Sequence, residues 1–242
     1  MVKKWAKQEV AITAYEKRVQ NTKRVIKKYK TQILVSILVA VLIAIFIAFL
    51  SIKNKKMQIA AWQDFATAEQ ELQQSSNPTE VLEKFDGIVE KYPNSNAAAY
   101  ALILKGDILY DNAKYDEAAK SYGEIIANNP STSYVPFAIN SLLYCYLAQN
   151  KDDDFIKTAE NFVKKYPNHL LAPQIYSQLA GVYGRKGNKL KTKEIYEILS
   201  DNYSESPWGQ SANVMLDELV KQKENDSKKQ ETKDIPKSEK IK

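Results

Sequence analysis

Hydrophobic and polar positions divide the chain into three regimes. Between Lys30 and Lys53 lie 22 residues without a charge, TQILVSILVAVLIAIFIAFLSI. As a helix rising about 1.5 Å per residue, such a run covers roughly 33 Å, enough for a hydrocarbon core of about 30 Å. A helix buried in a soluble core would carry a polar residue every third or fourth position; past Thr31 and Gln32 only Ser36 and Ser51 interrupt this one. A secretory signal would place a shorter apolar run behind a short basic start. Here 30 residues precede the run, it ends in Leu50-Ser51-Ile52-Lys53, and no Cys near its end could carry a lipid. The pattern predicts an uncleaved membrane helix over 31–52.

The second regime, from about 57 to 220, reads as helix after helix with a repeat of 37 residues. Four inter-helix segments recur at that spacing: Tyr92-Pro93-Asn94-Ser95, Asn129-Pro130-Ser131-Thr132, Tyr166-Pro167-Asn168-His169 and Tyr203-Ser204-Glu205-Ser206. Proline in three of them fits a break, because it cannot continue the preceding helix and favours the start of the next. The same period aligns apolar positions. Leu72, Leu109, Tyr146 and Tyr183 form one column, and Phe85, Tyr122, Ala159 and Tyr196 a second. Ile88, Ile125, Phe162 and Leu199 form a third, Val81, Ala118, Phe155 and Thr192 a fourth, and Phe65, Leu102, Ile139 and Tyr176 a fifth.

Trp208, Ala212, Met215 and Leu219 then lie on roughly one face of a helix predicted to close the stack. The third regime, 221–242, lacks hydrophobic periodicity and is expected to be disordered. Ahead of the membrane helix, Trp5, Ile12, Val19 and Ile26 stand seven apart, with Tyr15 and Tyr29 three beyond two of them. That is the pattern of a basic amphipathic helix, suited to anionic lipid or to a partner such as the ribosome.

Charge sharpens this division. Residues 1–30 carry ten Lys or Arg against Glu9 and Glu16, 53–56 add three Lys, and 221–242 hold eight Lys against five acids. These flanks total +14 within a net charge of +6, which leaves −8 for residues 57–220. The basic balance belongs to the flanks and does not argue for nucleic-acid binding by the folded part. Ten cations before the span and three after it predict a cytoplasmic N-terminus, with the repeats on the other side.

Candidate chemistry is sparse. His169 lies in an inter-helix turn with no second His or Cys spaced to share a metal. Cys145, between Tyr144 and Tyr146, reads as a packing residue, and as a single cysteine it forms no internal disulfide. Asp152-Asp153-Asp154 lacks the glycine and downstream Glu of a calcium loop, and acids at a helix start are expected from the helix dipole. No phosphate-binding loop or paired catalytic motif is present. The reading is a binding protein without cofactor or metal, not an enzyme.

The second repeat contains Leu102-x3-Gly106-x2-Leu109, then Tyr115-x2-Ala118-x3-Tyr122 and Pro130. That spacing resembles the tetratricopeptide repeat (TPR), with a small residue at the eighth position of its first helix and Ala then an aromatic in its second. The fourth repeat resembles it through Leu179-Ala180-x2-Tyr183, Gly187 and Tyr196. The third departs, with Leu143 at the small position and Phe155 at the Ala position, so its two helices are expected to sit further apart. The first repeat, about 57–92, is the most degenerate. The fold class implied is all-α: a single transmembrane helix followed by a TPR-like superhelix of about four repeats and a capping helix. Its segments are 1–30, 31–52, 53–220 and 221–242.

The resemblance also implies a groove lined by the second, fifth, ninth and twelfth residues of each repeat. Those positions are Tyr100, Ile103, Asp107 and Tyr110 in repeat two, and Phe137, Asn140, Tyr144 and Leu147 in repeat three. Repeat four supplies Gln174, Ser177, Gly181 and Gly184, with Arg185 next. Asp111 stands near the first set. An aromatic and acidic groove prefers segments with apolar and basic residues; against this, half of the aromatics are equally expected to be buried between repeats. Within the membrane helix Ser36, Ala40, Ala44 and Ala48 form a small-residue stripe on which another helix could pack.

A basic cytoplasmic segment, one span and an exported TPR domain together resemble the ancillary subunit family of the SecYEG translocon. The resemblance implies an inner-membrane protein whose partners are translocon subunits, periplasmic chaperones or unfolded chains. A cell-envelope scaffold of outer-membrane assembly or cell division is the alternative.

Overall fold

The computed structural model describes residues 17–24, 26–74, 78–128 and 133–233. It consists of two compact units, 1–59 and 60–242. Helical turns at 17–24 and 26–28 lead to α1, Lys30–Gln74. In the first unit the apolar side chains of α1 stand exposed all round, Leu38 and Phe46 at 61% and Phe49 at 62%. The length and apolar composition of α1 are sufficient to cross a membrane. Of the heptad residues, Ile26 is exposed and Val19 half-buried; Trp5, Ile12 and Tyr15 lie outside the described residues.

α1 does not end at Ile52. Residues 53–74 contain no Gly or Pro and are rich in Lys, Gln, Ala and Glu, so nothing stops the helix at the expected boundary. It continues to Gln74, and the second compact unit begins at Ala60 instead of 53.

In the second unit the later part of α1 pairs with α2, Leu82–Lys91, across a 3₁₀ turn at Pro78–Val81. Three further pairs follow: α3 (Asn96–Asp111) with α4 (Tyr115–Asn128), α5 (Val135–Ala148) with α6 (Asp152–Lys165), and α7 (Ala172–Arg185) with α8 (Lys189–Asn202). α9, Pro207–Lys233, closes the stack. One buried cluster runs from α3 through α8 to α9, with Leu82 and Val89 of the first pair packed against it.

The 37-residue period holds in three dimensions. The Ile88, Ile125, Phe162 and Leu199 column and the Val81, Ala118, Phe155 and Thr192 column are buried throughout. Thr192 tolerates burial by donating its hydroxyl to the Asn188 carbonyl at 3.0 Å. A further column, Ala61, Ala98, Val135 and Ala172, is at most 1% exposed and is hidden in sequence by its small side chains. Between paired helices, Ala113, Asn150 and Gly187 take φ of 59°, 56° and 73°, again 37 apart. The amides that follow them, of Lys114, Lys151 and Asn188, each reach back 2.9 Å to the carbonyl five residues earlier and close the helix end.

The inter-repeat turns share a second device. The amides of Ser95, His169 and Ser206 donate to the carbonyls of Tyr92, Tyr166 and Tyr203. Ser95 Oγ then accepts from the Ala98 amide and Ser206 Oγ from the Gly209 amide, both at 3.0 Å. His169 takes the same column: its Nδ1 accepts from the Leu171 amide at 3.2 Å. The sole histidine is thus a turn residue, as its position implied. The turn at 129–132 lies outside the described residues.

Ion pairs tie successive repeats together on the surface. Lys151 meets Asp116 at 2.8 Å, Arg185 meets Asp152 at 2.7 Å, and Lys186 meets Asp153 at 2.8 Å. Two of the three acids opening α6 therefore face cations of the next repeat as well as their own helix dipole.

The third repeat solves its packing by exchange of volume. Where repeat two has Gly106 and Tyr122, repeat three has Leu143 and Ala159, both fully buried. As expected from Leu143, α5 and α6 approach each other less closely than α3 and α4 do.

At the far end, Ala212 is buried and Trp208 and Leu219 half-buried, but Met215 is exposed at 38%; Leu216 takes the inward place. α9 does not stop at Val220. The expected disorder from 221 is replaced as far as Lys233 by helix, because this stretch has no Gly or Pro before Pro236 and alternates Lys with Glu, Asp and Gln.

Candidate functional site

The site follows from Gly106. A Cβ there would stand 2.5 Å from Tyr122 Cε1, so only glycine lets the Tyr122 ring of α4 lie across α3. The ring is 2% exposed, and its hydroxyl emerges one residue further along α3 to donate to Asp107 Oδ1 at 2.6 Å. Asp107 and Tyr110 lie one turn apart on α3, and Ser141 and Tyr144 one turn apart on α5. With Tyr122 these four line a cleft of about 300 Å³.

The cleft is acidic with aromatic walls. Burial holds the Asp107 carboxyl above its ordinary value, and the neighbouring Asp111 adds to this against the opposing Tyr122 hydrogen bond. Burial likewise raises the Tyr110 phenol, with Tyr115, Cys145 and Tyr144 beside it. The Tyr110 ring meets that of Tyr115 edge-on at 5.2 Å, and Tyr144 Oη accepts from Gln174 Nε2 at 2.7 Å. Both walls are therefore held by neighbours. Behind them Cys145 is fully buried, and burial pushes its thiol up to about 11, so it is a packing residue in this environment.

Of the groove residues expected from sequence, the structure brings Asp107, Tyr110 and Tyr144 into one cleft, with Asp111 near enough to act on Asp107. Tyr100 belongs to a different cluster: its ring lies 5.2 Å from Phe65 and 6.1 Å from both Trp62 and Tyr134. Phe137, 44% exposed, meets His169 edge-on at 5.7 Å. Ile103 packs against the core, and Asn140 is half-buried with its Oδ1 lacking a hydrogen-bond partner. Gln174 is the hydrogen-bond partner of Tyr144; Ser177 is half-buried, and Gly181 and Gly184 are exposed.

Arg185 is engaged with Asp152 in the pair that joins repeats three and four, and it does not line the cleft. Ser36, Ala40, Ala44 and Ala48 are exposed along α1. Sequence reasoning misses Tyr122 and Ser141 as cleft residues. The signal for Tyr122 is the Gly106–Tyr122 spacing, a missing side chain on one helix opposite a large ring on the next, which by itself implies only packing.

The tetratricopeptide repeat family pattern matches residues 100–132, the stretch holding Asp107, Tyr110 and Tyr122. The folded unit is a TPR-like superhelix. Two crystal structures of nearly identical TPR-like repeats from a Podosopora anserina protein described as a kinesin light chain, one of them a single-residue variant of the other, share its fold at 15% identity. Each covers 70% of this chain and 89% of its own, with a TM-score of 0.50. The crystal structure of MamA aligns at 15% identity over 61% of this chain and 90% of its own, with a TM-score of 0.41. No curated protein matches the chain at a significant level. Among the described residues α1 is long and apolar enough to cross a membrane.

Proposed function

We propose that this chain is a single-pass membrane scaffold whose TPR-like domain binds proteins outside the cytoplasm. The observation that carries the reading is the uncharged 31–52 run, wholly exposed along α1 and bordered by ten cations before it and three after. A bilayer removes the cost of exposing that surface, and the cation asymmetry orients the span with 1–30 inside. The acidic domain, net −8 over 57–220, is then held apart from the basic flanks. Binding, not catalysis, is its work.

The more specific place we propose is beside the protein-export channel of a bacterial inner membrane. Support comes from the resemblance of the architecture to the ancillary SecYEG subunits, and from an acidic, aromatic cleft suited to emerging or unfolded segments. The Tyr-Pro-Asn-Ser turn, shared with TPR proteins of envelope assembly, favours a cell-envelope scaffold as the second reading.

Photo-crosslinkers placed at Tyr110 and at Ala44 in the full chain in membranes test both. Channel subunits and nascent chains among the adducts are expected. Outer-membrane or septal proteins would replace the first reading with the second. Protease added outside the inner membrane is expected to digest the domain's tail; protection would reverse the orientation.

A further inference from the structure

Several acids of the TPR-like domain are held in ion pairs between helices. Asp64, Glu71, Asp86, Asp116, Asp152 and Asp153 each sit against a Lys or Arg of a neighbouring helix. Among the described residues Asp107 and Asp111 enter no such pair, nor do Glu83, Glu124 and Asp154 among others; what sets Asp107 apart is that it lines the cleft, with Asp111 beside it. Tyr122 occupies one oxygen of Asp107 at 2.6 Å and supplies no charge. The second oxygen remains available to a ligand.

The walls agree with this. Tyr110 and Tyr144 place phenol rings on two sides of a cleft of about 300 Å³, which suits one long side chain and not a helix. Aromatic faces attract a cation, and a planar guanidinium can stack on them while donating to a carboxylate. The two tyrosines are braced by Tyr115 and Gln174, so they need not be ordered when a ligand enters.

We infer that the cleft formed by Asp107, Tyr110, Ser141 and Tyr144 is a pocket for a single cationic side chain, best an arginine, of a partner protein segment. The inference rests on the reading of the domain as a protein-binding scaffold and names what that scaffold selects. The guanidinium donates to the free oxygen of Asp107, its plane lies against the tyrosine rings, and Asp111 adds a long-range attraction.

The test is peptide binding to the full chain in detergent micelles, read by fluorescence anisotropy. One labelled peptide carries an arginine between leucines; its match carries citrulline, which keeps the shape and removes the charge. The arginine peptide is expected to bind at least about tenfold more tightly. Asp107→Asn, which still accepts from Tyr122 and so keeps the fold, is expected to erase that difference while leaving citrulline binding unchanged. Equal affinity for the two peptides, no binding of either, or a preference that survives Asp107→Asn would overturn the pocket. If a crosslinker at Tyr110 captures proteins while the peptides bind alike, the scaffold stands and the pocket does not; absence of adducts as well removes both.

Discussion

Repeats two and three carry the same helix pair and the same buried columns, yet only one of them presents a carboxylate. In repeat two the small residue is on the first helix, Gly106, and the large one on the second, Tyr122. In repeat three the volumes are exchanged, Leu143 facing the helix that carries Ala159. A leucine ends in methyl groups inside the core. A tyrosine at the corresponding interface crosses the first helix and brings its hydroxyl out beside Asp107. Similar volume, differently divided, gives plain packing in one repeat and a polar site in the other.

The comparison can be broken most severely at Leu143. Leu143→Ala restores the small residue of the TPR pattern but leaves Ala159 unchanged, so a cavity opens. A loss of about 2–5 kcal/mol is expected in chemical denaturation of the domain. Gly106→Ala acts in the opposite sense by overfilling repeat two, and a loss of about 1–3 kcal/mol is expected. In a Tyr122→Ala background the same change should cost little, since the added methyl then meets empty space. Additive costs in that cycle would show that the ring is not what Gly106 accommodates.

A smaller contrast lies at the helix starts. α3 is capped by the Ser95 hydroxyl, whereas α5 opens with Pro136 near its first turn and no side-chain cap. Ser95→Ala should therefore cost about 1 kcal/mol. Tyr134→Ser should gain no compensating cap, because Tyr134 holds helical dihedrals, and should lose the ring contact with Tyr100. Thermal melts of the two variants check that both fall.

The smallest effect concerns alkaline pH. The folded Cys145 thiol is held near 11 against an ordinary value of 9.0, so the folded state keeps its proton where the unfolded chain loses it. Its contribution is fully present below pH 9.0 and declines as pH rises from there to about 11. The tyrosines with raised values, Tyr110 and Tyr146 among them, act in the same direction at somewhat higher pH. Cys145→Ala should flatten the stability curve between about pH 9 and 10 and leave the steeper fall beyond it, as followed by urea midpoints.

Much of the fold is legible in the sequence because a repeat averages over its own irregularities. The columns through Ile88 and Val81 recur in residues that differ but stay buried. The capping column is obscured by chemistry: Ser95, His169 and Ser206 do one job with different acceptors. The turn column is obscured too, since Ala113 and Asn150 hold the left-handed conformation that Gly187 adopts freely.

The helices run past Ile52 and Val220 for another reason. Composition changes there, but helix propensity does not, and only the latter stops a helix. The cleft is half legible. A helix-face rule supplies Asp107, Tyr110 and Tyr144, but neighbouring first helices meet with a stagger of one turn, which brings in Ser141. Tyr122 reaches the cleft from the second helix, and no one-helix pattern contains it. Arg185 is lost to the inter-repeat ion pair because Asp152 lies 2.7 Å away.

The most direct test of a binding site confined to the cleft between repeats two and three uses two equivalent positions. Tyr110 and Leu147 stand 37 residues apart in successive first helices, and only Tyr110 lines the cleft that holds Asp107. A photo-crosslinker is placed at each in turn in the full chain in membranes, and protein adducts are quantified. Strong capture from position 110, weak capture from 147 and loss of the first on Asp107→Asn are the expected results. Equal capture from both positions, or capture from 110 that survives Asp107→Asn, would contradict it.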